Sequence, residues 1–244
     1  MLTGLCQIAR RGLLSQTKLD IISNDLANVG TFGYKKSGVS FKLPSNEELQ
    51  DQKVNYSLLP YGVQAFTDFS SGSYRHTANP LDISIQGEGF FVVESPQGNL
   101  YTRKGDFSLD SQGRIVTQDG RLVLGEGGPI TITGGEIHVD EEGNVYSGQD
   151  LVDKLKIVTF QELSVLEKAE GAYFRLRDPS LAGGEKKPQG IQVMQGFLEL
   201  SNVDVVVSMV EMLSILRGYE AYKNVMDILR EADSKVAQEV ALLR

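Results

Sequence analysis

The chain has 244 residues, 41% of them hydrophobic and 23% charged, which is enough to bury one large core or two modest ones and excludes a wholly disordered or collagen-like protein. With 24 basic and 32 acidic residues the net charge is −8, which argues against nucleic acid as a partner because phosphate contacts need a basic face. One cysteine and two histidines supply neither an internal disulfide nor a Cys/His zinc cluster.

At the N-terminus, Arg10 and Arg11 fall where a secretory leader would need an unbroken apolar stretch, so no standard cleaved signal is expected. On these features alone the expectation is a cytoplasmic protein. Leu5, Ile8, Gly12, Ser15, Leu19, Ile22, Leu26 and Val29 step by alternating threes and fours, the seam spacing of a coiled-coil helix. Gly12 and Ser15 weaken helix propensity but let a partner helix come close. The helix is expected to stop at a turn around Asn28, Gly30, Gly33 and Tyr34. Asn24 and Asn28 are expected to hold that turn by side-chain hydrogen bonds or simply to cap the helix, with Gly30 and Gly33 supplying unusual backbone angles.

Residues 37–80 are polar and only weakly alternating, and predict an irregular or partly extended connector with one short hairpin, His76 lying within it. From residue 81 the grammar changes to that of strands. Asp82-Ile-Ser-Ile-Gln86 alternates, Gly89-Phe-Phe-Val-Val93 is a continuous apolar run, and short strands follow between turns at Ser95–Asn99, Asp110–Arg114, Gln118–Arg121, Gly134-Gly135 and Asp140–Asn144. Repeated glycine between polar neighbours is the turn chemistry of tightly wound antiparallel sheets. Leu155–Phe160 and Tyr173–Arg177 continue the pattern.

After Ser201 and Asn202, either of which is a possible N-cap, Asp204 is placed in the first turn of a helix running to Arg244 without proline. Met209, Met212, Leu216 and Tyr219 form one apolar seam, and Tyr222, Val225, Leu229, Ala232 and Val236 a second, offset by a break between 219 and 222. Val206, Val210 and Leu213 are apolar on a neighbouring face. A helix apolar on two faces needs more than one neighbour. A central helix of one monomeric core would satisfy this, but burial completed by other subunits is the more economical account. The most apolar run, Val205–Leu216, carries Glu211 and is too short to span a bilayer.

No catalytic constellation emerges. Gly87-Glu-Gly89 lacks the third glycine of a dinucleotide loop, and Gly125-Glu-Gly-Gly128 lacks the following Lys-Ser or Lys-Thr of a phosphate loop. Asp140-Glu-Glu-Gly-Asn144 has valine and leucine where a calcium loop needs glycine and glutamate. Cys6 reads as a small seam residue and His138 as a strand residue. The expectation is a protein that is not an enzyme and binds no cofactor or metal.

Asn24-Asp-Leu-Ala-Asn28 with Thr31-Phe-Gly-Tyr-Lys35 resembles the signature after the first helix of bacterial flagellar rod and hook proteins. Asn79–Phe91 resembles their approach to the β domain, Tyr101-Thr-Arg-Lys-Gly-Asp-Phe107 the strand after it, and Gly196-Phe-Leu-Glu-Leu-Ser-Asn-Val203 with Glu211-Met-Leu and Tyr219-Glu-Ala-Tyr222 their C-terminal motif. The short span from Lys36 to Asp82 and Gly125–Ile132 look more like the proximal than the distal rod branch. Asp25 departs from the family, which often has a second asparagine there, and so does Leu200, where a small residue is frequent.

The resemblance implies an α+β fold: a mainly antiparallel β domain at 81–200, a connector at 37–80, and a discontinuous helical domain of 1–36 and 201–244 whose helices pair as a coiled coil. It implies a structural subunit of the basal-body rod, in the periplasm, that polymerises into a tubular drive shaft transmitting torque and conducting exported subunits. The implied partners are copies of itself, other rod proteins and the flagellar type III export apparatus, which needs no cleaved signal. Leu5, Ile8, Leu19, Ile22, Leu26, Val206, Met209, Leu213, Leu216, Tyr219 and Tyr222 are the expected assembly interface. The alternative from another class is an adhesin-like module, with a helical stalk and a ligand site on the β domain.

Overall fold

The computed structural model describes residues 2–42 and 62–242, and is mainly β with one long helix at each end, an α+β class. By contact it divides into two compact units: residues 1–27, 37–66 and 204–244 form the first, and 28–36 with 67–203 the second. Residues 28–36 and 67–80 therefore group with the β unit.

In the first unit, α1 (Leu2–Ala27) and α2 (Val205–Leu242) are in contact, and α1 also contacts β1 (Ser37–Lys42). β1 pairs with β2 (Gly62–Thr67). A side chain at Gly38 would run into the Phe66 ring, so glycine makes room for the ring there. Asp25, buried near the end of α1, accepts from the Ser37 N–H at 3.1 and 3.2 Å.

The start of α2 corrects the expected cap. The Asp204 carboxylate accepts from the Val207 N–H at 3.0 Å, an N-cap bond to the third helical residue. Ser201 accepts from the Val203 N–H instead, and the Asn202 amide is committed to distant partners. The sheltered stripe of α2 also differs from the expected seams. It follows Val205, Ser208, Met212, Ile215, Gly218, Tyr222, Met226 and Leu229, a run of threes and fours with no break at 219.

In the β unit, a five-stranded antiparallel sheet holds the centre, in the order β12 (Ile157–Val158), β5 (Phe90–Ser95), β6 (Gly98–Thr102), β14 (Tyr173–Leu176), β13 (Leu166–Lys168). Phe91 and Val93 enter one apolar cluster while Phe90 and Val92 enter another, and Leu100 and Tyr101, Ile157 and Val158, and Tyr173 and Phe174 divide the same way. The sheet is thus covered on both faces, which is why its central strand reads as an unbroken apolar run.

Smaller ribbons complete the unit. β4 (Ile83–Gln86) pairs with β15 (Gln192–Gln195), β3 (Tyr74–His76) with β16 (Phe197–Glu199), and β7 (Phe107–Leu109) with β8 (Ile115–Thr117). β9 (Ile137–Val139), β10 (Asn144–Ser147) and β11 (Asp150–Lys154) form a three-stranded sheet. The expected connector thus contains β1, β2 and β3. His76 is a strand residue whose ring lies 4.8 Å from that of Phe197, because β16 returns from far along the chain to pair with it.

Candidate assembly surface and a buried ionic clasp

Three of the motif words noted in the sequence meet inside the β unit through one residue from each. Lys35 Nζ donates to Glu199 Oε1 at 2.7 Å, and the Arg103 guanidinium reaches Glu199 Oε2 at 3.4 Å. All three side chains are buried. Each charge is further satisfied by backbone: Lys35 donates to the Ser70 carbonyl at 2.7 Å, Arg103 to the carbonyls of Ile85 and Gly87 at 3.0 and 2.6 Å, and the Gly72 N–H donates to Glu199 at 3.0 Å. Burial pushes the Lys35 ammonium below its ordinary value, against the attraction of Glu199, and burial likewise lowers Arg103.

The turn motif is built around this clasp. Gly33 takes φ +66, and a side chain there would strike the backbone of Arg103 and Lys104, while its N–H donates to the Glu199 carbonyl at 2.8 Å. Gly30 does not take a positive φ, so the expectation of an unusual backbone angle is corrected there. Tyr34 is buried with Ala172 and Val203, with the Lys168 ammonium 4.1 Å above its ring. Asn28 accepts from the Thr31 hydroxyl at 3.3 Å and Asn24 is exposed. Asn202, inside the C-terminal motif, accepts from the Lys36 N–H at 2.7 Å and donates to the carbonyls of Asp68 and Ser70 at 2.9 and 3.1 Å.

Sequence reasoning quoted Lys35, Arg103 and Glu199 within their motifs and assigned them no role. Each word carries a charged residue, but nothing local says which charges pair.

On the helices, Ile22 is buried and Leu19, Leu26, Leu216 and Tyr222 are half-buried, while Leu5 and Ile8 lie outside the residues whose side chains are described. Val206, Val207, Met209, Val210 and Leu213 are exposed at 71, 55, 52, 62 and 56%, and Tyr219 is also exposed. These large apolar side chains gather at the start of one helix.

Other sites carry less. His76 and His138 line a cavity of about 440 Å³ with Glu136 and Gln195, but among the described residues no group of three side chains is placed to hold a metal ion. Gly125–Gly128 closes a turn, Gly125 N–H to the Gly128 carbonyl at 2.7 Å. Among the described residues no helix is long and apolar enough to cross a membrane.

A β unit latched from within by its own motif residues, together with a long helix that holds apolar side chains in solvent, defines a structural protein made for assembly. Residues 84–147 match the family model of the flagellar hook protein FlgE/F/G D1 domain, and residues 194–239 that of the flagellar basal body rod FlgEFG protein C-terminal region. FlgG of Bacillus subtilis (strain 168) is 32% identical, the match covering 88% of this chain and 92% of that protein. FlgF of Caulobacter vibrioides is 30% identical over 94% of both, and FlgF of Rhizobium meliloti 29% identical over 100% of this chain and 98% of its own length. The chain belongs to the flagellar basal-body rod protein family, and is a structural subunit of the flagellar basal body. Relatives named FlgF and FlgG match about equally well, so the comparisons do not single out the proximal branch suggested by the short connector. Their names support a non-enzymatic role, and nothing among them supports the adhesin alternative.

Proposed function

We propose that this chain polymerises through its terminal helices into the tubular drive shaft of the basal body, where it transmits torque and lines the path of exported subunits. In this reading the two ends act as one discontinuous assembly domain. Leu5, Ile8, Leu19, Ile22 and Leu26 of α1, with Val206, Met209, Leu213, Leu216, Tyr219 and Tyr222 of α2, pack as coiled coils among copies of this chain and other rod proteins. Asn24, Asn28, Gly30, Gly33 and Tyr34 shape the turn that follows α1. The chain reaches the periplasm through the flagellar type III export apparatus without cleavage of a signal.

The observation that carries this reading is the apolar cluster at the start of α2. Its five side chains are each more than half exposed, so covering them releases about 1 kcal/mol apiece, roughly 5 kcal/mol per subunit. That rivals the stability margin of a small domain. It is enough to offset much of the cost of ordering helices that are marginal alone.

Purification of intact basal bodies from cells carrying a tagged chain tests the reading. The tagged chain is expected in the rod fraction, and its absence from basal bodies that otherwise assemble would contradict it.

A further inference from the structure

The sheltered stripe of α2 passes through Ser208, Met212 and Ile215. Two residues before each, and so about 200° round the helix, stand Val206, Val210 and Leu213. From there an outer stripe runs by threes and fours through Val206, Val210, Leu213, Arg217, Ala221 and Val225, every one of them exposed. Arg217 is the one charge among them. On α1 the exposed positions Leu13, Gln16, Asp20, Ser23 and Ala27 follow the same spacing, and Asp20 is their one charge.

The two charges do not meet within the chain. The ion pairs of α2, Arg230 with Asp227 and Lys235 with Glu231, are local to that helix. Among the described residues neither Asp20 nor Arg217 has a side-chain partner. A surface that covers the outer stripe of α2 must therefore provide for the guanidinium, because apolar side chains alone would desolvate it without a partner. The occupant needs one acid set in an otherwise uncharged helix face. The exposed stripe of α1 has that composition. Leu13 stands about two turns before Asp20, while Val210 and Val225 stand about two turns before and after Arg217. Joining the charges thus brings Leu13 level with an apolar side chain whichever way the neighbouring helix runs.

We propose that the outer stripe of α2 docks the exposed stripe of α1 from a second copy of this chain, with that copy's Asp20 carboxylate on the Arg217 guanidinium fixing the register. The inference rests on assembly through the terminal helices, and adds which helix meets which and at what level. One charged pair in such a seam specifies register, because a slip by a turn buries both charges unpaired. Each stripe holds one charge, so a further acid on the stripe of α2, at Leu213 for instance, has no cation left to meet.

Charge exchange in the full chain tests the pairing. Cells lacking the native chain receive tagged wild type, Asp20→Arg, Arg217→Asp or the double variant, and the tag is quantified in purified basal bodies. Each single variant is expected at no more than about a tenth of the wild-type level, because like charges then face each other across the seam. The double variant is expected to return to within about threefold of wild type, since every contact between copies regains an opposite pair. All four purified chains should share one unfolding midpoint, because both side chains are exposed in the single chain. Single variants incorporated as wild type, or a double variant no better than the singles, would overturn the pairing and leave assembly through the helices standing. A midpoint lowered in the singles would show that the charges serve the single chain, and would overturn it too. Absence of the wild-type chain from basal bodies that otherwise assemble would overturn the assembly reading, and this inference with it.

Discussion

Asp110 and Asp140 occupy equivalent places in two turns of the same spelling, an aspartate, two polar residues, a glycine and a polar residue. Each carboxylate accepts from the N–H groups two and four residues on and from the side chain of the fourth, Arg114 in one turn and Asn144 in the other. Gly113 and Gly143 take φ +76 and +84, angles that a side chain would disfavour. Burial pushes the Asp140 carboxyl up, but the Asn144 side chain and the Asn144 and Glu142 N–H groups outweigh it and hold the carboxyl below its ordinary value.

Its folded value being the lower, this carboxylate contributes stability above about pH 4 that is lost as pH falls through the folded value. Asp140→Ala is expected to cost about 1–2 kcal/mol in urea unfolding at neutral pH. Asp140→Asn is expected to lose less further stability than wild type between neutral pH and about pH 2. An unchanged acid limb in Asp140→Asn would show that the turn does not depend on the charge. These turns were legible because the bonds that close them, from the second and fourth residues to the aspartate, span four residues or fewer. The clasp was not, because Glu199 meets Lys35 across 164 positions and Arg103 across 96, and no local pattern carries that pairing.

At the scale of elements, type was legible and use was less so. The run Gly89–Val93 identified a strand, and the structure explains its lack of alternation by a sheet covered on both faces. What hid β3 in the connector was its partner: Tyr74–His76 is short, and becomes a strand because Phe197–Glu199 pairs with it. The cap of α2 shows the same competition. Three residues before the helix were suitable by type, and Asp204 serves because the Asn202 amide is held by Lys36, Asp68 and Ser70. Asp204→Ala is therefore expected to cost about 1 kcal/mol of helix stability and to lower far-UV helical signal, whereas Ser201→Ala should leave that signal unchanged. The stripe of α2 sheltered within the single chain is a different face from the two expected seams, and periodicity cannot choose among faces where a helix is apolar nearly all round.

The whole molecule divides its stability unevenly. The β unit has two apolar clusters on either side of one sheet and a charged latch, while α2 holds five large apolar residues in solvent at its start. In isolated chain, α1 and α2 are expected to exchange amide hydrogens far faster than β5 and β6, and to gain protection on assembly. Equal protection of helices and sheets in the monomer would show that the ends are stable without neighbours.

The most direct test of assembly through the helices is Leu213→Asp, made at a position more than half exposed. The purified variant should keep the unfolding midpoint of wild type, because the new carboxylate faces water in the single chain. In cells lacking the native chain it should support neither rods nor swimming, because assembly would bury that charge without a partner. Normal rods and normal motility from Leu213→Asp would contradict the account.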